Sequence, residues 1–247
     1  MPGGEGVAEA IGVALGQRGD PERAHFERRY LKSDLDHIGV PVPVVRKLVR
    51  STATAGGVSG RSDALQVVRA LWEVPVHEHR LAAVELLVAH VQHLGVDDLE
   101  LVERLLREAR TWALVDPLAV KVAGSIVARH PPATDTLDAW ARDGDFWLRR
   151  SALLALLDPL RKGDGDFARF SGYADAMLDE RELFVRKAIG WVLRETSRRR
   201  PEMVAGWLGP RVSRASGVTF REALKHLSTD QREALLRKRA ALARLPA

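Results

Sequence analysis

The sequence predicts an all-α fold, a curved solenoid of about five or six stacked helix pairs. Three observations predict it. Apolar residues recur at helical spacing, and no run of alternating β-branched residues marks a strand. Stretches of helix length are separated by proline, glycine and small-residue breaks. An aromatic residue followed by basic residues and an Ala/Leu-rich stretch returns at a near-constant interval.

Residues 1–6 are a Gly-rich start, expected to be disordered, which leaves 7–247 as a single repeat domain. Helical patterning begins near Val7 and carries Ile11, Val13, Ala14 and Leu15. Asp20 and Pro21 read as an N-cap and first-turn proline that open a second helix through Tyr30. The stretch from Gly39 to Pro43 breaks the chain, and a helix restarts at Val44. Thr52 to Ser62 reads as a small-residue loop, with Ser62 and Asp63 capping the next helix.

From there the chain repeats itself. Trp147, Phe184 and Phe220 follow Trp112 at intervals of 35, 37 and 36 residues. Each of those three is followed by basic residues (Arg149 and Arg150, Arg186 and Lys187, Arg221) and then by an apolar helix. Leu71, Trp72 and Pro75 precede a similar stretch that begins at His79 and Arg80. This period sits just below that of HEAT repeats, whose second helices line a concave side, so a concave basic groove is expected.

The 247 residues suffice for a sizeable core, and no apolar run approaches a membrane span. With no basic-then-apolar leader at the N-terminus, a cytoplasmic protein is expected. Zero cysteines exclude disulfides, thiolate catalysis and Cys-based metal sites. Net charge is +5, but from Arg194 onward there are 13 Lys+Arg against 5 Asp+Glu, a net of +8. That asymmetry suits either a polyanion-binding face or a solvated basic tail.

Phosphate-binding glycine loops, an HExxH pair and a Gly-x-Ser-x-Gly elbow are all absent. His90 and His93 share a helical spacing but have no carboxylate in register, so no metal and no cofactor are expected. What remains is tryptophan, aspartate and arginine on helices. Trp72, Trp140 and Trp207 read as core. Trp112 and Asp116, beside Arg110, are four residues apart and would share a helical face. Asp116 followed by Pro117 also reads as an N-cap, and spacing alone favours the cap.

Along nearly the whole chain an ordered series resembles the AlkD family of HEAT-like DNA glycosylases. It comprises Tyr30 within Arg-Arg-Tyr-Leu-Lys, Leu71 to Pro75, Trp112 with Asp116, Trp147 to Arg150, Lys187 to Glu195, and Arg221 to His226. The block around Trp191 is the most specific. Thr111 and Ala113 depart from the family, which often has a further Trp and Asp there. The resemblance implies excision of N3- or N7-alkylated purines from double-stranded DNA, for which one basic groove needs only a monomer. It implies Asp116 as the catalytic carboxylate, Trp112 and Trp191 as holders of the lesion's sugar-phosphate, and Tyr30 lining the same site. Arg150 would contact phosphate, with Arg149, Arg186, Lys187, Arg221 and Lys225 on the DNA-binding face. The family does without a base-sized pocket, so bulky adducts are expected to be accepted. The bias of 31 Arg to 7 Lys suggests a GC-rich bacterial genome, and by association self-resistance to a DNA-alkylating antibiotic. The alternatives are a catalytically silent DNA-binding solenoid and a protein-binding scaffold.

Overall fold

The computed structural model describes residues 4–244. Among them there is no β-strand, only an isolated bridge between Asp36 and Val76. No helix is long and apolar enough to cross a membrane. The chain divides into two compact units, Met1–Ile126 and Val127–Ala247.

The first unit contains α1 (Gly4–Gly16), α2 (Pro21–Leu31), α3 (Val42–Ala55), α4 (Arg61–Glu73), α5 (His77–Ala89), α6 (Leu99–Ala109) and α7 (Trp112–Pro117). A π-helical segment, Leu118–Ala123, follows α7 directly. The Gly-rich start is corrected at residues 4–6, which form the first turn of α1; residues 1–3 lie outside the described residues. α1 buries Val7, Ile11 and Leu15 against α3 and α4, and that apolar stripe lets the helix reach back into its glycines. The small-residue loop is shorter than expected because α3 runs on to Ala55. Gly60, not Ser62 or Asp63, is the N-cap of α4; the Asp63 carboxylate instead accepts from the Ser59 amide at 3.4 Å.

Asp20 caps α2 as expected, accepting from the amides of Glu22 and Arg23 at 3.0 and 3.1 Å. Yet α2 buries no residue. It is held instead through its neighbouring loop. The Asp20 amide donates to the Ile38 carbonyl at 2.9 Å, and Gly39, at φ 86°, passes so close that a Cβ there would lie 2.1 Å from the Asp20 carbonyl oxygen. Glu78 on α5, fully buried, fixes that loop: its carboxylate accepts from the amides of Ile38, Gly39 and Val40.

Next to Glu78, the imidazoles of His77 and His37 stack with centroids 4.5 Å apart and planes within 7°. Burial first, and then the neighbouring His37, push His77 down to about 4 from its ordinary 6.5. A depressed histidine pKa means the folded state disfavours the proton. This contribution to stability is therefore complete above pH 6.5 and is lost as pH falls towards 4. The expected result is a drop in unfolding free energy over that window, on the order of 3 kcal/mol, that flattens in His77→Phe. An unchanged pH slope in that variant, measured by urea titration, would remove His77 from the account.

The second unit contains α9 (Thr134–Trp140), α10 (Phe146–Ala155), α11 (Leu157–Lys162), α12 (Phe167–Ala176), α13 (Leu183–Ser197), α14 (Pro201–Leu208), α15 (Gly217–Ala223) and α16 (Thr229–Leu242); α8 (Gly124–Arg129) bridges the boundary. Here the repeat read from the sequence recurs in chain order as α9 then α10, α12 then α13, and α14 then α15; of these α9 and α10 pack closely, while α13 packs on α11 and α14. The second members stack in series, α10 on α13 and α13 on α15. Gly190 permits the α13–α15 approach, since a Cβ there would lie 2.9 Å from Glu222 Cβ and 3.2 Å from Thr219 Cα.

Charge pairs form across repeats. Arg211 binds Asp175, and Arg214 binds Asp179 at 3.1 Å through Nε, each across about one repeat. Arg194 meets Glu222 in the same way, whereas Arg198 pairs locally with Glu195, three residues earlier. Asp175 and Asp179, both before Arg194, thus offset two of the eight excess positive charges of the C-terminal stretch. Arg221, Arg232 and Lys238 are exposed and form no ion pair among the described residues.

Candidate functional site

α6 ends at Arg110, which takes the left-handed conformation (φ 49°) without being glycine. Such a residue is strained, and strain of this kind gathers at functional sites. Thr111 then extends (φ −147°, ψ 140°), and its carbonyl accepts from the amides of Leu114 and Val115, starting α7 with Trp112 as its first residue. Asp116 lies one turn further along the same short helix.

The cap reading of Asp116 does not hold. The residue sits inside α7, and the chain continues through Pro117 into the π segment without leaving helical conformation. Proline has no N–H to give the carbonyl four residues back, and its ring crowds that carbonyl. Widening the next turn to π spacing accommodates both, and such segments recur at functional positions. Buried Leu118, Ala119, Val120, Val122 and Ala123 lock it in place. The result is a half-buried carboxylate held one turn from a half-buried indole.

Tyr30 of α2 approaches Trp112 edge-on, with centroids 6.0 Å apart and planes at 85°. Phe26, one turn earlier on α2, lies parallel to Tyr30 at 6.2 Å. Phe26 was not anticipated, although its spacing of four from Tyr30 on a capped helix was there to be read. Glu78 was missed as well, because its partners are backbone amides about 40 residues away.

The six tryptophans separate cleanly. Trp72, Trp140, Trp147 and Trp207 are buried, whereas Trp112 and Trp191 are half-exposed. The Trp72 indole donates to Glu108 at 2.7 Å, and the Arg80 guanidinium lies 5.0 Å over its ring, so Arg80 braces α4, α5 and α6.

In the second unit, Trp191 projects from α13 beside Gly190. Phe146, Trp147 and Phe184 form an aromatic cluster with centroids 4.6 to 6.4 Å apart. Arg150 is buried, donates to the Phe184 carbonyl and stands 6.0 Å over the Phe184 ring. Lys187 is exposed and 5.8 Å from that same ring. Arg149 and Arg186 are braces: Arg149 binds Glu180 at 2.7 Å and the carbonyls of Asp143 and Gly144, and Arg186 donates to the Glu180 carbonyl. Lys225 pairs with Glu222 at 2.6 Å; burial pushes the Glu222 carboxyl up, but Lys225 and Arg194 outweigh it and hold the group below its ordinary value. Arg221 is exposed.

Among the described residues, Glu27, His37 and Glu78 bring possible metal-ligand atoms within 4.8 Å of one another. Glu27 is already paired with Arg23, and Glu78 is engaged by three amides. Their arrangement is accounted for by the α2–loop–α5 contact.

Comparison with known proteins agrees with this geometry. A family model described as "DNA alkylation repair enzyme" matches residues 11–227. No curated protein matches the chain. A solved structure described as a "Predicted DNA alkylation repair enzyme from Enterococcus faecalis" is similar at a TM-score of 0.75 and 25% identity, covering 86% of this chain and 98% of the other. A match over most of the chain, on a stacked-helix fold shared with such a relative, places this protein in the DNA alkylation repair enzyme family.

Proposed function

We propose that the protein is a DNA N-glycosylase that hydrolyses the N-glycosidic bond of cationic N3- or N7-alkylated purines in double-stranded DNA. The supporting observation is Asp116, a carboxylate inside a helix that needs no cap there, one turn from Trp112 and its neighbour Tyr30.

An alkylated purine carries its positive charge before reaction, so departure needs little acid catalysis. The C1′–N bond breaks with its electron pair going to the purine, which leaves neutral, and positive charge grows on the deoxyribose. A fixed carboxylate stabilises that charge, as carboxylates do at oxocarbenium-like states in glycoside hydrolysis. Water adds at C1′, and its proton passes to Asp116 and then to solvent, leaving an abasic site. Trp112 is proposed to set its electron-rich face against the sugar-phosphate of the lesion, and Trp191 of the second unit to meet the DNA sugar-phosphate through its own. Tyr30 lines the same site. Exposed Lys187, Arg221 and Lys225 are proposed to meet backbone phosphates, Arg150 to contact phosphate beside Phe184, and Arg149 and Arg186 to position them. Neutral purines would be poor substrates, because no acid in these stretches is placed to protonate them.

The test is incubation with methylated duplex and with duplex bearing a bulky N3 or N7 adduct, followed by mass detection of free bases. Release of 3-methyladenine or 7-methylguanine and of the bulky base is the expected result. Release from methylated DNA alone would reject the bulky range and with it the self-resistance role. Duplex binding with no released base from either substrate would favour a catalytically silent DNA-binding protein.

A further inference from the structure

We propose that Phe26 and Tyr30 form a stacking platform for an unstacked nucleobase of the bound DNA, with Arg29 meeting the adjoining phosphate; this rests on the DNA-binding reading above. The two rings are parallel within 4°, with centroids 6.2 Å apart, an offset arrangement that leaves ring surface open. Both are set in solvent: Phe26 is 68% exposed and Tyr30 64%. Folding does not explain them. α2 buries no residue, so neither ring contributes to a core, and an aromatic pair one turn apart adds only a small increment to helix stability. The platform is continuous with the site, since Tyr30 also meets Trp112 in a T-shaped contact, with centroids 6.0 Å apart.

Charge selects the occupant. On α2, Arg23 is spent on Glu27, and Arg28 is paired with Asp36 at 3.2 Å. Arg29 and Lys32 are exposed and form no ion pair among the described residues. Arg29 lies three residues after Phe26, hence on the neighbouring helical face. Exposed rings interleaved with unpaired cations match a strand that offers a base and a phosphate at each step. An adduct alone would supply a flat ring without the phosphate.

The experiment uses the full chain and two duplexes, one carrying a single bulged 2-aminopurine and one fully paired. Stacking on the platform should quench the 2-aminopurine. Phe26→Ala should relieve that quenching and weaken binding to the bulged duplex by about tenfold, the usual scale for one lost base–aromatic stack, and leave the paired duplex within about twofold. Phe26→Trp should restore both readouts and Phe26→Leu neither. Arg29→Ala should lower the salt slope by about one phosphate contact. Equal loss on both duplexes, no loss on either, or rescue by leucine would overturn the platform. So would loss confined to bulky planar adducts, which would make the adduct the occupant. Wild-type protein that binds neither duplex would overturn the platform and the DNA-binding reading together. Base release and duplex binding indifferent to Phe26→Ala would overturn the platform alone.

Discussion

Asp116→Asn is expected to bind duplex DNA as the wild type does and to release 7-methylguanine at least about 10² more slowly, the scale of losing one preorganised electrostatic group. The amide is nearly isosteric with the carboxylate and keeps its place within α7, so the fold is preserved while the charge is removed. The effect should fall on the chemical step: single-turnover release slows, and the binding constant holds. Were Asp116 there only to shape the helix, base release would stay within a factor of about three and the catalytic assignment would fail. The variant also separates charge from packing, because Asp116→Ala would change both.

Glu78→Ala is expected to cost about 3–5 kcal/mol of stability, the largest structural loss foreseen for a single side chain in the first unit. Three amides, those of Ile38, Gly39 and Val40, lose their acceptor at a fully buried position where water cannot readily replace it. In a chain of this size such a loss lowers the melting temperature by roughly 6–20 °C. Glu78→Gln retains one acceptor oxygen and turns an NH2 towards the remaining amides, so an intermediate loss is expected. A change below about 1 kcal/mol in the alanine variant would show that the 38–40 loop satisfies its amides by another route.

The helical architecture was legible because it depends on local pattern. Asp20 and Pro21 open α2 where spacing places them, and the aromatic-to-basic interval emerges as α10, α13 and α15. Trp72, Trp140 and Trp207, read as core, are buried, and Trp147 joins them. Three features were not legible, each for a long-range reason. Asp116 looked like a cap because Asp-Pro usually is one; only burial of Leu118 through Ala123 makes a continuous helix with a π turn the better solution. The basic C-terminus looked like free positive charge, yet Arg211 and Arg214 find Asp175 and Asp179 a full repeat away. Arg149 has the appearance of a DNA contact in a sequence motif, but Glu180 and the turn at Asp143 and Gly144 engage all three nitrogens of its guanidinium.

α2 contributes nothing to the interior of the first unit, while carrying both rings beside Trp112. Its amides should therefore exchange with solvent deuterium through a sub-global opening, ahead of those of α4 and α5. On the glycosylase reading proposed above, a segment that can leave without unravelling its neighbours would let the contacts at Tyr30 yield to lesions of different girth, so tolerance of substrate size would come from a loosely moored helix rather than from a roomier cavity.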